Sequence, residues 1–457
     1  MHRRRVAGTI FGLVALLIVS VGQAAAHGAS LGGSREAIAI PAWLFLLTGG
    51  AAIGASFLLA SLVTDRTLIT TIHDWRRTVP IPAERLLRGV LQVVGVVGLV
   101  GVIVVGYLGP AQGIANAGVL LVWVGWWAGF TATTYLVGST WSALNPWRTI
   151  ANRLPSLGRE YPERLGAWPS VAGLLGLVWL EVVSPVAEAP AVLSTVVVGY
   201  TVVTLAGALA YGPETWFERV DPVSRVFRYY GRLAPLARKD GEVRLRLPGT
   251  ALAETRLVDG LDEVAFVTAL VWVTTYDGFV ATPTWEGLAE PLVAAGIPAL
   301  VLYLLVLVGG FGLFFGVYVG AARYSRRIAG TYLSAATLTR RFAPPLLAIA
   351  AGYHLAHYLG YFLTRAPSIV ATAVTPLTTL ETVPVLALPG WFDGIALASV
   401  LLGHILAIWT AHATAFDLFP GRLQAIRSQY PYTAVMIVYT MTSLWIVAQP
   451  TIVPPYT

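Results

Sequence analysis

Apolar runs of about 20 residues recur along this chain, separated by shorter arginine-bearing stretches. A helix of that length crosses the ~30 Å hydrocarbon core of a bilayer. After the amino-terminal segment the runs fall near 41–63, 89–109, 116–137, 169–186, 190–211, 263–283, 291–321, 342–363, 393–418 and 431–448. They predict an all-α, polytopic membrane bundle of about ten transmembrane helices. The seventh run is long enough to imply tilt, or a break near Gly309-Gly310-Phe311-Gly312.

Composition agrees. The chain is 56% hydrophobic and 12% charged, with a mean hydropathy of +0.71. Soluble domains carry about 25% charged residues. Cysteine is absent, which excludes disulfides, thiolate metal sites and cysteine nucleophiles. Any transition-metal site must use His, carboxylate, Tyr, Met or backbone ligands.

Residues 1–26 have the layout of a secretory signal. Arg3-Arg4-Arg5 is a basic start, Val6 to Gly22 an apolar stretch, and Ala24-Ala25-Ala26 a small-residue cleavage site. The alternative is an uncleaved anchor. Residues 27–457 then form one transmembrane domain, with a basic loop over 212–262 and a short strand within Glu242–Leu247.

The arginines predict a direction. If residue 27 lies outside, the 64–88, 138–168, 212–262, 322–341 and 419–430 loops face the cytoplasm. They hold 25 of the 30 basic residues. Beyond the leader, only Arg35 and Arg365 fall elsewhere. This asymmetry obeys the positive-inside rule and puts both mature termini outside the cell membrane. It also explains the formal charge of +7 without nucleic acid.

A weak internal repeat follows the third and fifth spans. Thr140-Trp141 precedes Asn145-Pro146, and Thr215-Trp216 precedes Asp221-Pro222. Asn145 or Asp221 is placed to N-cap a short helix with Pro at its first position. In the second copy Val223, Val226, Phe227 and Tyr230 share an apolar face, with Arg225, Arg228 and Arg232 expected towards lipid phosphates. The repeat reads equally as a duplicated hairpin or as convergent interfacial chemistry.

Chemistry concentrates in Tyr353-His354-Leu355-Ala356-His357-Tyr358, inside the eighth span. Its two histidines share a helix face. Ionisable side chains at membrane depth are costly and commonly functional. Orientation places His354, His357, His404, Asp277 and Glu181 at similar depth, open to the outside, with His412 and Asp417 as a separate inner pair. Each residue alone also fits ordinary interhelical hydrogen bonding. Together, His354, His357 and His404 suit a transition metal, with Asp277 and Glu181 as ligands or as acceptors orienting the imidazoles. His357 and His404 are alternatively axial haem ligands, with Gly352, Ala356 and Gly403 leaving room for the macrocycle.

His27 becomes the first mature residue if cleavage follows Ala26. Its amine and imidazole then chelate one metal. Cleavage after Ala24 leaves Ala-Ala-His, a square-planar copper motif. There is no nucleophile elbow, no HExxH motif and no phosphate loop. Trp123, Trp126 and Trp127 read as packing or interface anchors. The 364–392 segment reads as an outer loop able to lie over the cluster.

The motifs Ala26-His27-Gly28, Pro41-Ala42-Trp43-Leu44-Phe45, Asn145-Pro146-Trp147-Arg148, Tyr276-Asp277-Gly278-Phe279, His354 to Tyr358, Arg427-Ser428-Gln429-Tyr430-Pro431 and Leu444 to Pro450 run over nearly the whole mature chain. In them the sequence resembles the polytopic prokaryotic membrane proteins named fenitrothion hydrolase. The resemblance implies a similar fold and, by that name, hydrolysis of an organophosphate ester. It assigns no catalytic residue. The mature amino-terminal His is similar to that of periplasmic copper-binding proteins, and the body is similar in kind to their membrane partners.

The first expectation is therefore a membrane metalloprotein binding copper or zinc at His354, His357, His404 and Asp277, with His27 the outermost ligand. Its role is metal uptake, transfer or resistance, with an extracytoplasmic metal-binding or redox partner. The second is a metal-dependent hydrolase of phosphoester-like substrates with Asp277 or Glu181 as general base. The third is a b-type haem electron carrier.

Overall fold

The computed structural model describes residues 42–456 apart from 240, 255 and 256. The leader and His27 lie outside the described residues. The chain folds as a helical bundle. Its long helices are α1 (Ala42–Leu62), α2 (Glu84–Leu108), α3 (Ala117–Leu136), α4 (Trp168–Val183) and α5 (Pro190–Tyr211). After a short amphipathic helix, α6 (Pro222–Tyr230), come α7 (Leu261–Val280), α8 (Ala299–Ala329), α9 (Leu346–Val374), α10 (Asp393–Leu418) and α11 (Arg422–Val447).

Among the described residues, eight helices are long and apolar enough to cross a membrane. A ninth is counted if α1 and the sharply bent Arg66–Asp74 helix form one broken span. α4 is apolar but has only 16 residues. At 1.5 Å per residue it reaches about 24 Å, short of a typical hydrocarbon core. The seventh expected run divides differently from its reading. Pro283–Ala294 is a separate helix, and α8 then runs unbroken through the glycine cluster for 31 residues. The helix is continuous across Gly309, Gly310 and Gly312, so glycine alone does not interrupt it.

The five basic loops meet at one end of the bundle. β1 (Arg76–Val79), β2 (Leu236–Lys239) and β3 (Glu242–Arg246) form an antiparallel sheet in the order β1-β3-β2, joining the 64–88 and 212–262 loops. Gly138 bridges to Leu236, and Arg340 donates to the Asp259 carbonyl at 3.0 Å. Arg66 donates to the carbonyls of Phe416, Phe419 and Pro420, and Ser325 to that of Ser428. At the opposite end, Ile452 N donates to Ala281 O at 2.9 Å and the Tyr303 hydroxyl to Pro455 O at 2.8 Å. A bundle with a small sheet at one end thus qualifies the all-α expectation. The sheet arises where two polar loops supply each other's backbone partners.

The repeat takes the same form twice. The Asn145 side chain accepts from Arg148 N at 2.9 Å to cap the Pro146–Ala151 helix, and Asp221 accepts from Ser224 N at 2.9 Å to cap α6. The two copies pack on each other. Asn145 Nδ2 donates to Ser224 Oγ at 3.0 Å, and the Trp141 ring stacks on Phe227 at 4.7 Å. Asp221 also accepts from the Tyr200 hydroxyl, and burial raises its carboxyl above the usual range.

The apolar face of α6 is buried as expected, with Val226, Phe227 and Tyr230 inside. Its charged face is not where the sequence put it. Arg225 is 2% exposed, paired with Glu263 at 3.0 Å rather than turned to lipid. Arg228 joins the same carboxylate at 3.1 Å. A buried guanidinium needs a desolvated partner, and Glu263 at the start of α7 provides one.

α9 and α10 pack at small residues. A Cβ on Gly352 would stand 2.6 Å from Ser399 O and 2.9 Å from Gly403 Cα. Both obstacles are backbone and cannot rotate away. Gly352→Val is expected to cost about 1–3 kcal/mol by overpacking, read as a lower melting temperature in detergent. Gly54→Ala, with nothing within 4 Å of the added methyl, is the comparison that should melt like wild type.

Candidate functional site

α9 carries Tyr353, His354, His357 and Tyr358 at helical spacing, so the four fan out over two adjoining faces. α7 packs on it and brings Asp277. His357 Nε2 lies 3.4 Å from Asp277 Oδ2, and the Tyr358 hydroxyl donates to that same oxygen at 3.1 Å. One carboxylate is therefore shared between an imidazole and a phenol of one helix. Gly278 allows the approach, since a Cβ there would meet the Tyr353 hydroxyl at 2.3 Å.

His354 turns the other way. Its Nδ1 meets the Tyr135 hydroxyl at 3.1 Å, and its ring lies edge-on to Trp127 at 5.4 Å and to Tyr230 at 6.0 Å. The Tyr358 ring sits between the two histidines, 4.7 Å from His354 and 4.8 Å from His357. An aromatic and polar row thus links Tyr230, Tyr135, His354, Tyr358, His357 and Asp277.

Asp277 and Tyr358 form the back wall of a cavity of about 190 Å³ between α3, α4, α5, α6 and α7. Glu181 of α4 lines it too, as do Trp123, Trp126, Trp127 and Trp147. The rest of the wall is mainly Val and Leu, with Thr274 and Tyr200. The three α3 tryptophans stand in a π-helical stretch, Leu121–Phe130. Such wide turns recur at functional sites. These tryptophans are wall residues of the cavity, not merely anchors.

The expected five-residue cluster is resolved into parts. Asp277 and His357 meet, and Glu181 lines the same cavity as Asp277. His404 stands apart. Its Nδ1 donates to Val400 O of its own helix at 2.8 Å, while its buried Nε2 has no hydrogen-bond partner among the described residues. Among the described residues, no three His, Asp or Glu side chains are grouped to hold one metal ion. Helix rotation explains the difference, because equal depth does not make side chains face each other.

The inner pair is also corrected. His412 Nε2 bonds Val63 O at 2.9 Å and its Nδ1 faces Gln429 at 3.3 Å, while Asp417 pairs with Arg341 at 2.6 Å. The small residues expected to admit a haem instead bring α9 and α10 into backbone contact at Gly352 and Gly403, which leaves no gap there for a macrocycle. The 364–392 segment, expected as an outer loop, begins as helix. α9 continues to Val374, and the chain then folds back on it, with Leu386 N donating to Thr364 O and Ser368 to Pro384 O. It adds no residue to the cavity wall.

No family model, no curated protein and no solved structure matches the chain.

Proposed function

We propose that this chain is a multi-pass protein of the cell membrane, with about ten spans and both termini extracytoplasmic. It binds a small solute in the intramembrane cavity and exchanges a proton at Asp277, His357 and Tyr358, as a proton-coupled transporter does. The carrying observation is the Asp277 carboxylate, held by an imidazole and a phenol at the wall of a largely apolar cavity. Carboxylate–histidine chains inside membranes serve as proton relays in pumps and transporters. The meeting of all five basic loops at one end supports the arginine-based orientation. Infrared difference spectroscopy across a pH titration tests the reading without needing a ligand. Asp277→Asn should remove one carboxyl component, and an unchanged difference spectrum would overturn the proposal.

A second reading keeps the metal. Two bonds of 2.0–2.1 Å at a tetrahedral angle put ligand atoms about 3.3 Å apart. His357 Nε2 and Asp277 Oδ2 stand 3.4 Å apart, so they match one edge of a zinc or copper site. They supply two ligands, with His27 the candidate third. Copper or zinc handling would follow, or, as the resemblance to fenitrothion hydrolase implies, hydrolysis at a metal-held water. Elemental analysis separates this from the first reading. His357→Ala should lose the ion and His404→Ala should keep it. Equal metal content in wild type and His357→Ala would reject the site.

A further inference from the structure

The cavity lies in a gap between consecutive helices. α4 packs on α7 and α8, whereas α5 packs on α2 and the Pro146–Ala151 helix, and the two barely touch each other. Leu174, Leu177 and Val178 form one side of the gap, and Val196 and Val197 the other. Val186 of the connecting turn and Val223 and Phe227 of α6 line it as well. The gap between α4 and α5 offers a sideways route to the cavity.

The chemistry of the wall narrows the occupant. A dry cavity of about 150 Å³ takes benzene, so about 190 Å³ takes an aromatic ring with a short chain. Four indole rings, Phe227, Tyr200 and Tyr358 line the wall, and Glu181 and Asp277 add carboxylates. None of the described wall residues is Lys, Arg or His. Indole faces beside carboxylates attract cations.

We propose that the cavity binds a lipophilic organic cation that enters from the bilayer between α4 and α5. Its charged nitrogen lies at the Asp277 and Glu181 end, and its apolar body lies against Trp123, Trp126 and Trp127. The assignment rests on the reading of the Asp277 centre as the functional site and names the solute class for it.

The test uses the full chain in lipid nanodiscs, with empty nanodiscs as the blank for partitioning. The probes are 2-phenylethylamine as its ammonium ion, the neutral isostere 2-phenylethanol, and the anion 3-phenylpropionate. The amine should bind and quench tryptophan emission, the alcohol should bind at least about tenfold more weakly, and the anion should not bind. Asp277→Asn should weaken the amine about a hundredfold and leave the alcohol unchanged. Val196→Trp, which fills the gap, should abolish binding of both, with an unaltered elution profile and circular dichroism. Equal binding of amine and alcohol, binding of the anion, or no binding of any probe overturns the proposal. The infrared titration of ligand-free protein judges the proton site separately, so a failed solute class and a failed proton centre are distinguishable.

Discussion

Asp277→Asn is expected to yield a folded, membrane-inserted protein that neither exchanges a proton at the α7–α9 contact nor holds a cation in the cavity. The amide oxygen still accepts from the Tyr358 hydroxyl, whose donor stands 3.1 Å from the native carboxylate. Packing around Gly278 and Tyr353 is unchanged, so the melting temperature should stay close to wild type. Charge is what is lost. A unit charge about 4 Å away is worth about 4 kcal/mol at an effective dielectric near 20. The hundredfold weakening expected for the amine corresponds to about 2.8 kcal/mol, within that limit. The infrared titration and the nanodisc binding series check the two consequences independently. A variant that melts like wild type yet keeps both properties would remove Asp277 from the site.

Arg225→Ala is expected to produce the largest loss of stability. Arg225 is 2% exposed and pairs with Glu263 at 3.0 Å, with its guanidinium also lying over the Phe266 ring. Removing one partner of a buried pair typically costs about 3–5 kcal/mol. Arg228, 3.1 Å from the same carboxylate, remains, so the expected loss is near the lower figure. Arg225→Met with Glu263→Gln should recover much of it, because the buried charge is removed together with its partner. Thermal unfolding in detergent measures this series. An Arg225→Ala protein melting at the wild-type temperature would show that the pair does not hold α6 to α7.

How far the sequence could be read depended on the kind of property. The N-caps at Asn145 and Asp221 were legible because capping is local: a short polar side chain before Pro meets the free amides of one turn. The common end of the five basic loops was legible because guanidinium groups avoid the hydrocarbon wherever their helices pack. The fate of Arg225 was not, since its partner Glu263 sits on a different element. The tryptophans of α3 read equally well as packing until the gap between α4 and α5 gave them an open space to face.

By itself, the sequence determined that the chain is a bundle of long apolar helices and on which side of the bundle charge collects, but not where every helix begins and ends. These follow from apolar length and the solvation of charge, which hardly depend on what each helix touches. It also put His354, His357, His404, Asp277 and Glu181 at one depth. Only the tertiary structure decided which of them meet. Depth is set by position along a helix, but contact depends on its rotation and crossing. Those brought Asp277 to His357 and Tyr358, turned His354 to Tyr135 and His404 back to its own helix.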